Sequence, residues 1–248
     1  YTLFQRNEYN ASLVWEEKAP VSVGRILWDG SVSYDGKIFL IGGRESEDAP
    51  ALKRVDVYDG NTNSMTGVAP MELGRIGLAS AQVDGEIWVI SGHETTSVEI
   101  YNIGANQWRE GIAVPSEINH GSAISYNGSI YVIGGRNSSG VQTSNVLKFD
   151  SISNGWITKS PMPTARHGLN LLIFEEKIWA IGGFINQSTV TNIVEVYDPV
   201  NDSWETVEPL PSSIAWSASW VHENYLYVAG GRSHSVTLDK IYQYNSQT

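Results

Sequence analysis

The sequence predicts an all-β fold, a ring of five small sheets that each contain four antiparallel strands. Three observations predict it. An apolar run ending in glycine recurs five times, a tight-turn pair precedes each run, and an aromatic residue follows each run, with a large side chain seven residues after it in four of the repeats. A period of 40 to 50 residues indicates stacked units, since a single small sheet cannot bury both of its faces.

The apolar runs define the repeat. Four of them end in Gly-Gly, and the fifth has Ser91 in place of the first glycine. The final glycines are 49, 43, 48 and 48 residues apart. Because apolar residues do not alternate with polar ones, each run predicts a strand buried on both faces. The five runs are 38–43, 87–92, 130–135, 178–183 and 226–231.

A two-residue turn signal stands before each run and predicts a β-hairpin. Asp-Gly and Asn-Gly suit the hairpin turns that need positive φ at both central residues. One strand should therefore precede the turn, and the apolar run should follow it. The five pairs are Asp35-Gly36, Asp84-Gly85, Asn127-Gly128, Glu175-Glu176 and Glu223-Asn224.

Two further strands follow each run. An aromatic residue ends the third strand, and seven residues later a large side chain begins the fourth. These aromatic rings are expected to fill the wedge between neighbouring sheets. The third-strand residues are Tyr58, Tyr101, Phe149, Tyr197 and Tyr244, and the fourth-strand residues are Met65, Trp108, Trp156 and Trp204.

The fifth repeat lacks its fourth strand, because that strand would begin beyond the last residue. The N-terminus offers a replacement: Trp15 lies five residues before Pro20, as Trp204 lies five before Pro209. Residues 12–18 are therefore predicted to complete the last sheet, which closes the ring and hides its edges. The whole chain, 1–248, is then one domain, with sheets at about 21–70, 71–113, 114–161, 162–209, and 210–248 plus 12–18.

Composition excludes several partners and chemistries. The net charge of −11 disfavours nucleic acid and anionic membranes as partners. The absence of cysteine removes thiolate nucleophiles and cysteine metal ligands, and it favours a reducing, cytoplasmic location. No phosphate-loop or dinucleotide motif occurs. We therefore expect no cofactor, no metal and no catalytic residue.

The repeat resembles the kelch repeat. A run such as Ile130–Gly135, the segment Val-Glu-Val-Tyr-Asp-Pro at 194–199 and the following Trp204 carry the resemblance, which covers about residues 12–245. It implies a kelch β-propeller, in which each sheet is a blade. Residues 74–78 and 134–138 are most similar to propellers of BTB–kelch adaptors, where the propeller captures a substrate protein for a cullin ubiquitin ligase. The resemblance implies a binding module, monomeric as a domain.

Six of the nine arginines fall in two rows predicted to lie on one loop face. The row after the glycines contains Arg44, His93, Arg136, Phe184 and Arg232, and the row five residues after the repeating proline contains Arg25, Arg75, Ile118, Arg166 and Ile214. Arginine binds carboxylates as a two-pronged donor, so the face is predicted to bind an acidic peptide or loop of a partner protein. His120, His167, Trp216 and Trp220 are expected to add stacking and hydrogen-bonding surface.

Three alternatives remain open. The arginines before the first strands are also typical of the kelch pattern itself, where they hydrogen-bond loop carbonyls and serve the scaffold. A propeller that binds or acts on sugars, similar to the sialic acid mutarotases, is a second alternative, because an arginine-rich mouth suits a sugar carboxylate. In the third, the repeats are purely structural and the interaction surface lies elsewhere.

Overall fold

The structure, a computed structural model, describes residues 17–27, 30–234 and 236–245. Regular structure in these residues consists of short strands that form five consecutive sheets, the blades of a β-propeller. The described part of the chain contains no helix that is long and apolar enough to cross a membrane.

Blades 1 to 4 each contain four strands in sequence order. Blade 1 contains β1 (Ser31–Tyr34), β2 (Lys37–Ile41), β3 (Val55–Asp59) and β4 (Ser64–Gly67). Blade 2 contains β5 (Ala79–Val83), β6 (Glu86–Ile90), β7 (Val98–Asn102) and β8 (Gln107–Glu110). Blade 3 contains β9 (Ser122–Tyr126), β10 (Ser129–Ile133), β11 (Val146–Asp150) and β12 (Gly155–Thr158). Blade 4 contains β13 (Asn170–Phe174), β14 (Lys177–Ile181), β15 (Val194–Asp198) and β16 (Ser203–Val207).

Blade 5 contains three strands among the described residues. They are β17 (Ala218–His222), β18 (Tyr225–Ala229) and β21 (Ile241–Tyr244), and a small ribbon of β19 (Arg232–Ser233) and β20 (Val236–Thr237) lies between the last two. The predicted closing strand at 12–18 lies outside the described residues, except for Glu17 and Lys18, which are not in a strand.

The hairpin turns form as predicted. Asp35 and Gly36 have φ angles of 48° and 71°, and the acidic pair Glu175 and Glu176 adopts the same left-handed conformation at 49° and 59°. Positive φ at both central residues matches the twist of the flanking strands, which explains why these turns join adjacent antiparallel strands. The four-stranded antiparallel blade expected from the repeat is confirmed.

The hydrophobic core consists of clusters between consecutive blades. The strand residues predicted to be buried on both faces divide between two clusters: Ile130 and Val132 pack towards blade 2, and Tyr131 and Ile133 pack towards blade 4. Four clusters of this kind join the five blades in series. Among the described residues no fifth cluster joins blade 5 to blade 1.

The glycine pairs allow neighbouring blades to approach closely. A Cβ at Gly134, whose φ is 70°, would lie 2.5 Å from the carbonyl oxygen of Arg166 in the next blade. The following residue, Gly135, donates its N–H to that same carbonyl at 2.8 Å. A side chain at Gly134 would push the two blades apart, and the equivalent Gly42 and Gly182 lie equally close to a carbonyl oxygen of the next blade. The same position holds Ser91 in blade 2, and Gly230 in blade 5 has nothing within 4 Å.

Candidate functional site

The two rows of arginines have different surroundings. Arg75 is 1% exposed, and its guanidinium lies 2.9 Å from the Glu99 carboxylate of its own blade. It also donates to the carbonyl oxygens of Ser91 and Ser97 at 2.8 and 2.9 Å. Burial lowers the pKa of Arg75, and the hydrogen bond and charge of Glu99 oppose this effect. The side chain is therefore a fully partnered part of blade 2.

Arg166 and Arg25 repeat this arrangement in blades 4 and 1. Arg166 is fully buried and lies 2.8 Å from the carboxylate of Glu195. Arg25 lies 2.6 Å from the carboxylate of Asp56, which also accepts hydrogen bonds from Arg54. Burial raises the pKa of Asp56, but bonds from Arg54 and the charge of Arg25 outweigh it, so this pKa lies below its usual value.

These three arginine side chains therefore lie inside the blades and not on the loop face that the sequence predicts for them. The physical reason is a carboxylate on the third strand, two residues before the terminal aromatic, which each arginine neutralises. The two blades without the arginine also lack the acid. The five pairs are Arg25 with Asp56, Arg75 with Glu99, Ile118 with Leu147, Arg166 with Glu195, and Ile214 with Tyr242.

The row after the glycines lies beside the loops that enter the first strands. Arg136 forms a two-way antiparallel bridge with Asn119, and Phe184 forms one with His167. Arg44 and Arg232 make equivalent bridges in blades 1 and 5. The two loops expected on one face are thus joined by backbone hydrogen bonds, and we call this surface the loop face.

Four rings from the loop face pack together at its centre. The His167 ring stacks on Phe184 with their centroids 4.9 Å apart, and Phe184 lies 4.6 Å from Trp216. The His120 ring is 6.0 Å from Trp216. The guanidinium of Arg232 lies 5.6 Å from the centre of the Trp216 ring, within the range of a cation–π contact. This central cluster joins loops from blades 3, 4 and 5.

Backbone conformation places two of these rings. His120 and Trp216 have positive φ angles of 55° and 49°, and the equivalent residues in blades 2 and 4, Gly77 and Gly168, have angles of 58° and 59°. The four residues are linked by N–H to carbonyl bonds from His120 to Gly77, from Gly168 to His120 and from Trp216 to Gly168. A Cβ at Gly168 would lie 2.7 Å from Nε1 of Trp216, so glycine makes room for the ring.

Burial and the positive charge of nearby arginines lower the pKa values of the two buried histidines, His120 and His167. Burial, together with the smaller effects of the neighbouring Arg136, His93 and Arg44, lowers the pKa of His120 to about 4. Burial also lowers the pKa of His167 to about 3, with Arg136 and His120 as further causes. Both imidazoles are neutral near pH 7, so the arginines supply the positive charge at the centre of the loop face.

Arg136 differs from the arginines inside the blades. Its side chain is partly buried, and burial lowers its pKa. Unlike Arg25, Arg75 and Arg166, it has no carboxylate of a described residue within 4 Å of its guanidinium. Its Nε is buried without a hydrogen-bond partner, a feature that it shares with Arg25 and Arg166. Arg232, by comparison, donates from Nε and Nη2 to the carbonyl oxygen of His234.

Two further polar residues belong to this surface. Nε2 of Gln142 lies 3.4 Å from Nδ1 of His167, and the amide of Asn119 lies 3.5 Å from Nδ1 of His93. Asn119 directly precedes His120, so the register of the repeat could have predicted that Asn119 lies on the loop face. Gln142 follows the glycine pair in a loop of variable length, where the repeat gives no register. Glu117, 3.9 Å from His93, brings negative charge to the rim.

The arrangement offers groups that suit the binding of a ligand. Among the described residues no group of three or more histidine and acidic side chains could hold a metal ion. Guanidinium groups, neutral imidazoles and stacked rings suit the recognition of carboxylates and of flat or apolar side chains.

Comparison with known proteins identifies similar chains. The model of the KLHDC2/KLHL20/DRC7 Kelch-repeats domain matches residues 77–248. Kelch-like protein 40 of Xenopus laevis is 31% identical over 128 residues, which are 50% of this chain and 20% of that protein. An F-box/kelch-repeat protein of Arabidopsis thaliana is 31% identical over 125 residues, 47% of this chain and 33% of that protein. The chain thus spans a fifth to a third of these relatives.

A solved structure has the same fold. The structure of YjhT superposes with a TM-score of 0.73 at 18% sequence identity, and the match covers 85% of this chain and 75% of that one. At this identity the likeness shows the propeller architecture alone.

Proposed function

This chain belongs to the kelch-repeat family, and we propose that it binds an acidic segment of a partner protein on the loop face around Arg136. Kelch propellers are typically protein-interaction domains, which supports the general role. The residue that supports the finer proposal is Arg136, a partly buried cation whose guanidinium has no carboxylate partner among the described residues.

Energetics favour a carboxylate from outside. Taking a charged group out of water is costly unless the charge is paired and hydrogen-bonded. Within this chain, Arg75 and Arg166 obtain that compensation from Glu99 and Glu195. A carboxylate of the partner would give Arg136 the same compensation. Charge-assisted hydrogen bonds of this kind contribute about 1.5–3 kcal/mol each.

The surroundings of Arg136 support the same class of ligand. Arg44 and Arg232 occupy the equivalent position in blades 1 and 5, and both belong to the loop face. The central rings of Phe184 and Trp216 offer aromatic surface beside the charge, a combination enriched at protein–protein hot spots. An acidic segment with an aromatic or apolar neighbour fits these groups.

A recognition role within a larger protein is the form of this proposal that the relatives favour. The matched relatives are several times longer than the matched region. We therefore propose that the propeller selects the partner, that it acts as a monomeric domain by binding and not by catalysis, and that it works in the cytoplasm. Segments outside this chain would then act on the partner that it holds.

The test is a selection followed by one charge deletion. Peptides displayed on phage are selected on the immobilised chain, and the best binder is synthesised together with a version in which Gln and Asn replace Glu and Asp. We expect the selected peptides to be acidic. We expect the neutralised version and the Arg136→Ala variant each to weaken binding by about 10- to 100-fold, the factor that one charge-assisted bond provides.

Arg109→Ala is the matched control. It removes the same charge from the outer strand β8, where the Arg109 side chain is 54% exposed and its guanidinium bonds to Glu86 at 2.7 Å. It should change affinity less than twofold. Selected peptides without acidic residues, or equal loss in the Arg109 and Arg136 variants, would refute an acidic ligand on this face. Melting temperatures within a few degrees of wild type are required of both variants.

A further inference from the structure

In three blades a tyrosine hydroxyl holds the turn between the third and fourth strands. The tyrosine ends the third strand, and its hydroxyl donates to the side-chain oxygen of the residue five positions later. The three pairs are Tyr58 with Asn63 at 3.2 Å, Tyr101 with Asn106 at 2.8 Å, and Tyr197 with Asp202 at 2.6 Å. Blade 3 has Phe149 at this position and Asn154 five residues later, so its turn lacks the hydroxyl and the bond.

The turn of blade 3 also lacks a second hydrogen bond. In the other three blades the same side-chain oxygen accepts a backbone N–H from the segment that precedes the blade. The donors are Ala19 for Asn63, Ala69 for Asn106 and Ser160 for Asp202, each at 2.9 Å. The equivalent donor for blade 3 is Ile112, whose carbonyl accepts the indole N–H of Trp156. Among the described residues no corresponding bond joins Ile112 to Asn154.

A pocket of about 190 Å³ lies between blades 2 and 3 at this turn. Its walls include Asn154 and the rings of Trp88 and Phe149, whose centres are 4.6 Å apart. Trp88 is 6% exposed, and its Nε1 is buried without a hydrogen-bond partner. The equivalent Trp179 of blade 4 donates to the carbonyl oxygen of Phe174 at 3.1 Å. The pocket therefore places an unpaired buried donor beside the position that lacks a hydroxyl, and leaving such a donor unpaired is costly.

The polar groups around the pocket indicate the chemistry of its ligand. Glu110 lines the pocket, and so does Arg109, whose guanidinium already bonds to Glu86 at 2.7 Å. A bound carboxylate would be repelled by Glu110, and a bound ammonium ion would offer no acceptor to the N–H of Trp88. A neutral amide offers a carbonyl oxygen to that N–H and an N–H group to Glu110 or Asn154. Its flat shape also suits the aromatic walls.

We propose that this pocket binds a primary carboxamide, with the indole N–H of Trp88 donating to the amide carbonyl. A dry apolar cavity of about 150 Å³ holds benzene, so this pocket has room for an amide group and one small ring. Asn154 lies in the turn between β11 and β12, at the other end of these strands from the loop face. The pocket is thus a second site, whose occupancy does not depend on Arg136.

The first measurement uses para-fluorobenzamide as the probe, observed by fluorine NMR with the full chain. We expect a dissociation constant of about 1–10 mM, typical of a fragment of about ten non-hydrogen atoms. Para-fluorobenzoate has the same shape and a negative charge, and it should bind at least about tenfold more weakly because of Glu110. Equal binding of the two probes would overturn the choice of a neutral amide.

Two substitutions test the geometry of the site. Trp88→Phe removes the indole N–H and should weaken binding of para-fluorobenzamide by about 3- to 10-fold, the factor that one hydrogen bond provides. The matched control is Trp179→Phe, which removes the equivalent indole from blade 4 and should leave the affinity unchanged. Equal losses in the two variants would overturn the role of Trp88.

Phe149→Tyr copies the residue of blades 1, 2 and 4, so its hydroxyl should bond to Asn154 and occupy part of the pocket. We expect this variant to bind the probe at least about tenfold more weakly, and to melt about 2–4 °C higher than wild type because of the added hydrogen bond. Full binding by Phe149→Tyr would overturn the site. This variant still gives the answer if Trp88→Phe fails to fold.

The carboxamide has two sources, a free aromatic amide or a glutamine side chain of a partner protein. Displacement of para-fluorobenzamide by N-acetylglutamine methylamide distinguishes them, because only this competitor presents the amide on an amino acid. Displacement assigns the site to a partner's glutamine, and failure to displace assigns it to a free aromatic amide. If para-fluorobenzamide itself shows no binding to wild type at about 10 mM, the pocket holds only water and the proposal is wrong.

Discussion

The guanidinium of Arg166 lies 2.8 Å from the carboxylate of Glu195, and the two side chains are 0% and 2% exposed. The guanidinium also donates to the carbonyl oxygens of Gly182 and Ile193 at 2.7 and 2.9 Å. A buried pair with this many bonds fixes the loop before the first strand against the third strand. In blade 3 the equivalent residues are Ile118 and Leu147, both buried in one hydrophobic cluster, so the same pair of positions is charged in blade 4 and apolar in blade 3.

Removing one partner of the buried Arg166–Glu195 ion pair should strongly destabilise the protein. Arg166→Ala leaves the Glu195 carboxylate buried without its partner, so the free energy of unfolding should fall by about 3–5 kcal/mol. Urea denaturation at pH 7 measures this loss. Arg109→Ala, on the exposed outer strand, should change it by no more than about 0.5 kcal/mol.

Replacing both partners of the ion pair by apolar residues should lower the stability much less. Arg166→Ile combined with Glu195→Leu copies the blade 3 pair, leaves no unpaired charge, and should restore most of the stability that Arg166→Ala loses. If the double variant loses as much unfolding free energy as the two single variants together, the ion pair has a role beyond compensating the burial of its own two charges.

Ionic strength should separate the loop face from other binding surfaces. If an acidic peptide binds through Arg136, its affinity should decrease as salt rises from 50 to 500 mM, because exposed charges are screened over shorter distances. The Arg136→Ala variant should show a shallower dependence, measured by fluorescence anisotropy. Identical salt dependences in the two proteins would mean that the peptide carboxylates bind elsewhere.

The two buried histidines should make the protein less stable in mild acid. Because the folded-state pKa values of His120 and His167 are lowered to about 4 and about 3, the unfolded chain binds more protons below pH 6.5. Stability is therefore fully present above the unfolded pKa and decreases as pH falls, by up to roughly 1.4 kcal/mol per pH unit for each histidine.

Urea denaturation at pH 7.5, 6.0 and 5.0 measures this slope. The control is His120→Asn with His167→Gln. Asparagine tolerates the positive φ at position 120, and neither replacement titrates. The double variant should have the smaller slope over this range. Equal slopes in the two proteins would mean that groups other than these histidines bind the protons. Folded-state titration of Asp202 does not interfere, because its pKa is lowered to about 2, below the range of pH 5.0 to 7.5.

Gly168 should be sensitive to the addition of one methyl group. Alanine there keeps a positive φ of 59° and places its Cβ 2.7 Å from Nε1 of Trp216. Gly140 has a φ of 74° and nothing within 4 Å of the equivalent position, so Gly140→Ala measures the backbone strain alone. Gly168→Ala should cost about 1–3 kcal/mol more than Gly140→Ala in thermal unfolding. Equal losses would show that Trp216 moves away freely.

The sequence predicted the blades because their closest contacts demand particular residues. Glycine is needed where neighbouring blades touch, as at Gly134, and a turn with positive φ is needed at Asp35 and Gly36. Both requirements concern the local backbone and recur in each blade, so the repeat displays them. The closing strand predicted at 12–18 lies outside the described residues, except for Glu17 and Lys18.

The sequence predicted the loop face less well, because residue type does not show which way a side chain points. Arg75 and Arg136 are both arginines near the same loops, yet only Arg75 has a carboxylate, Glu99, on its own blade. A signal was present in the sequence. An acid two residues before the terminal aromatic accompanies the arginine in blades 1, 2 and 4, and both are missing from blades 3 and 5.

The hydrogen bonds between Gly77, His120, Gly168 and Trp216 connect four neighbouring blades entirely through main-chain atoms. Apart from the positive φ at these four positions and the room that Gly168 leaves for the Trp216 ring, contacts of this kind do not depend on which side chains the nearby loops carry. The loop-face residues can therefore be exchanged, by evolution or by grafting, while the blades keep their spacing. A change of binding specificity in this scaffold then requires only new side chains between fixed backbone anchors, with no redesign of the framework that holds them.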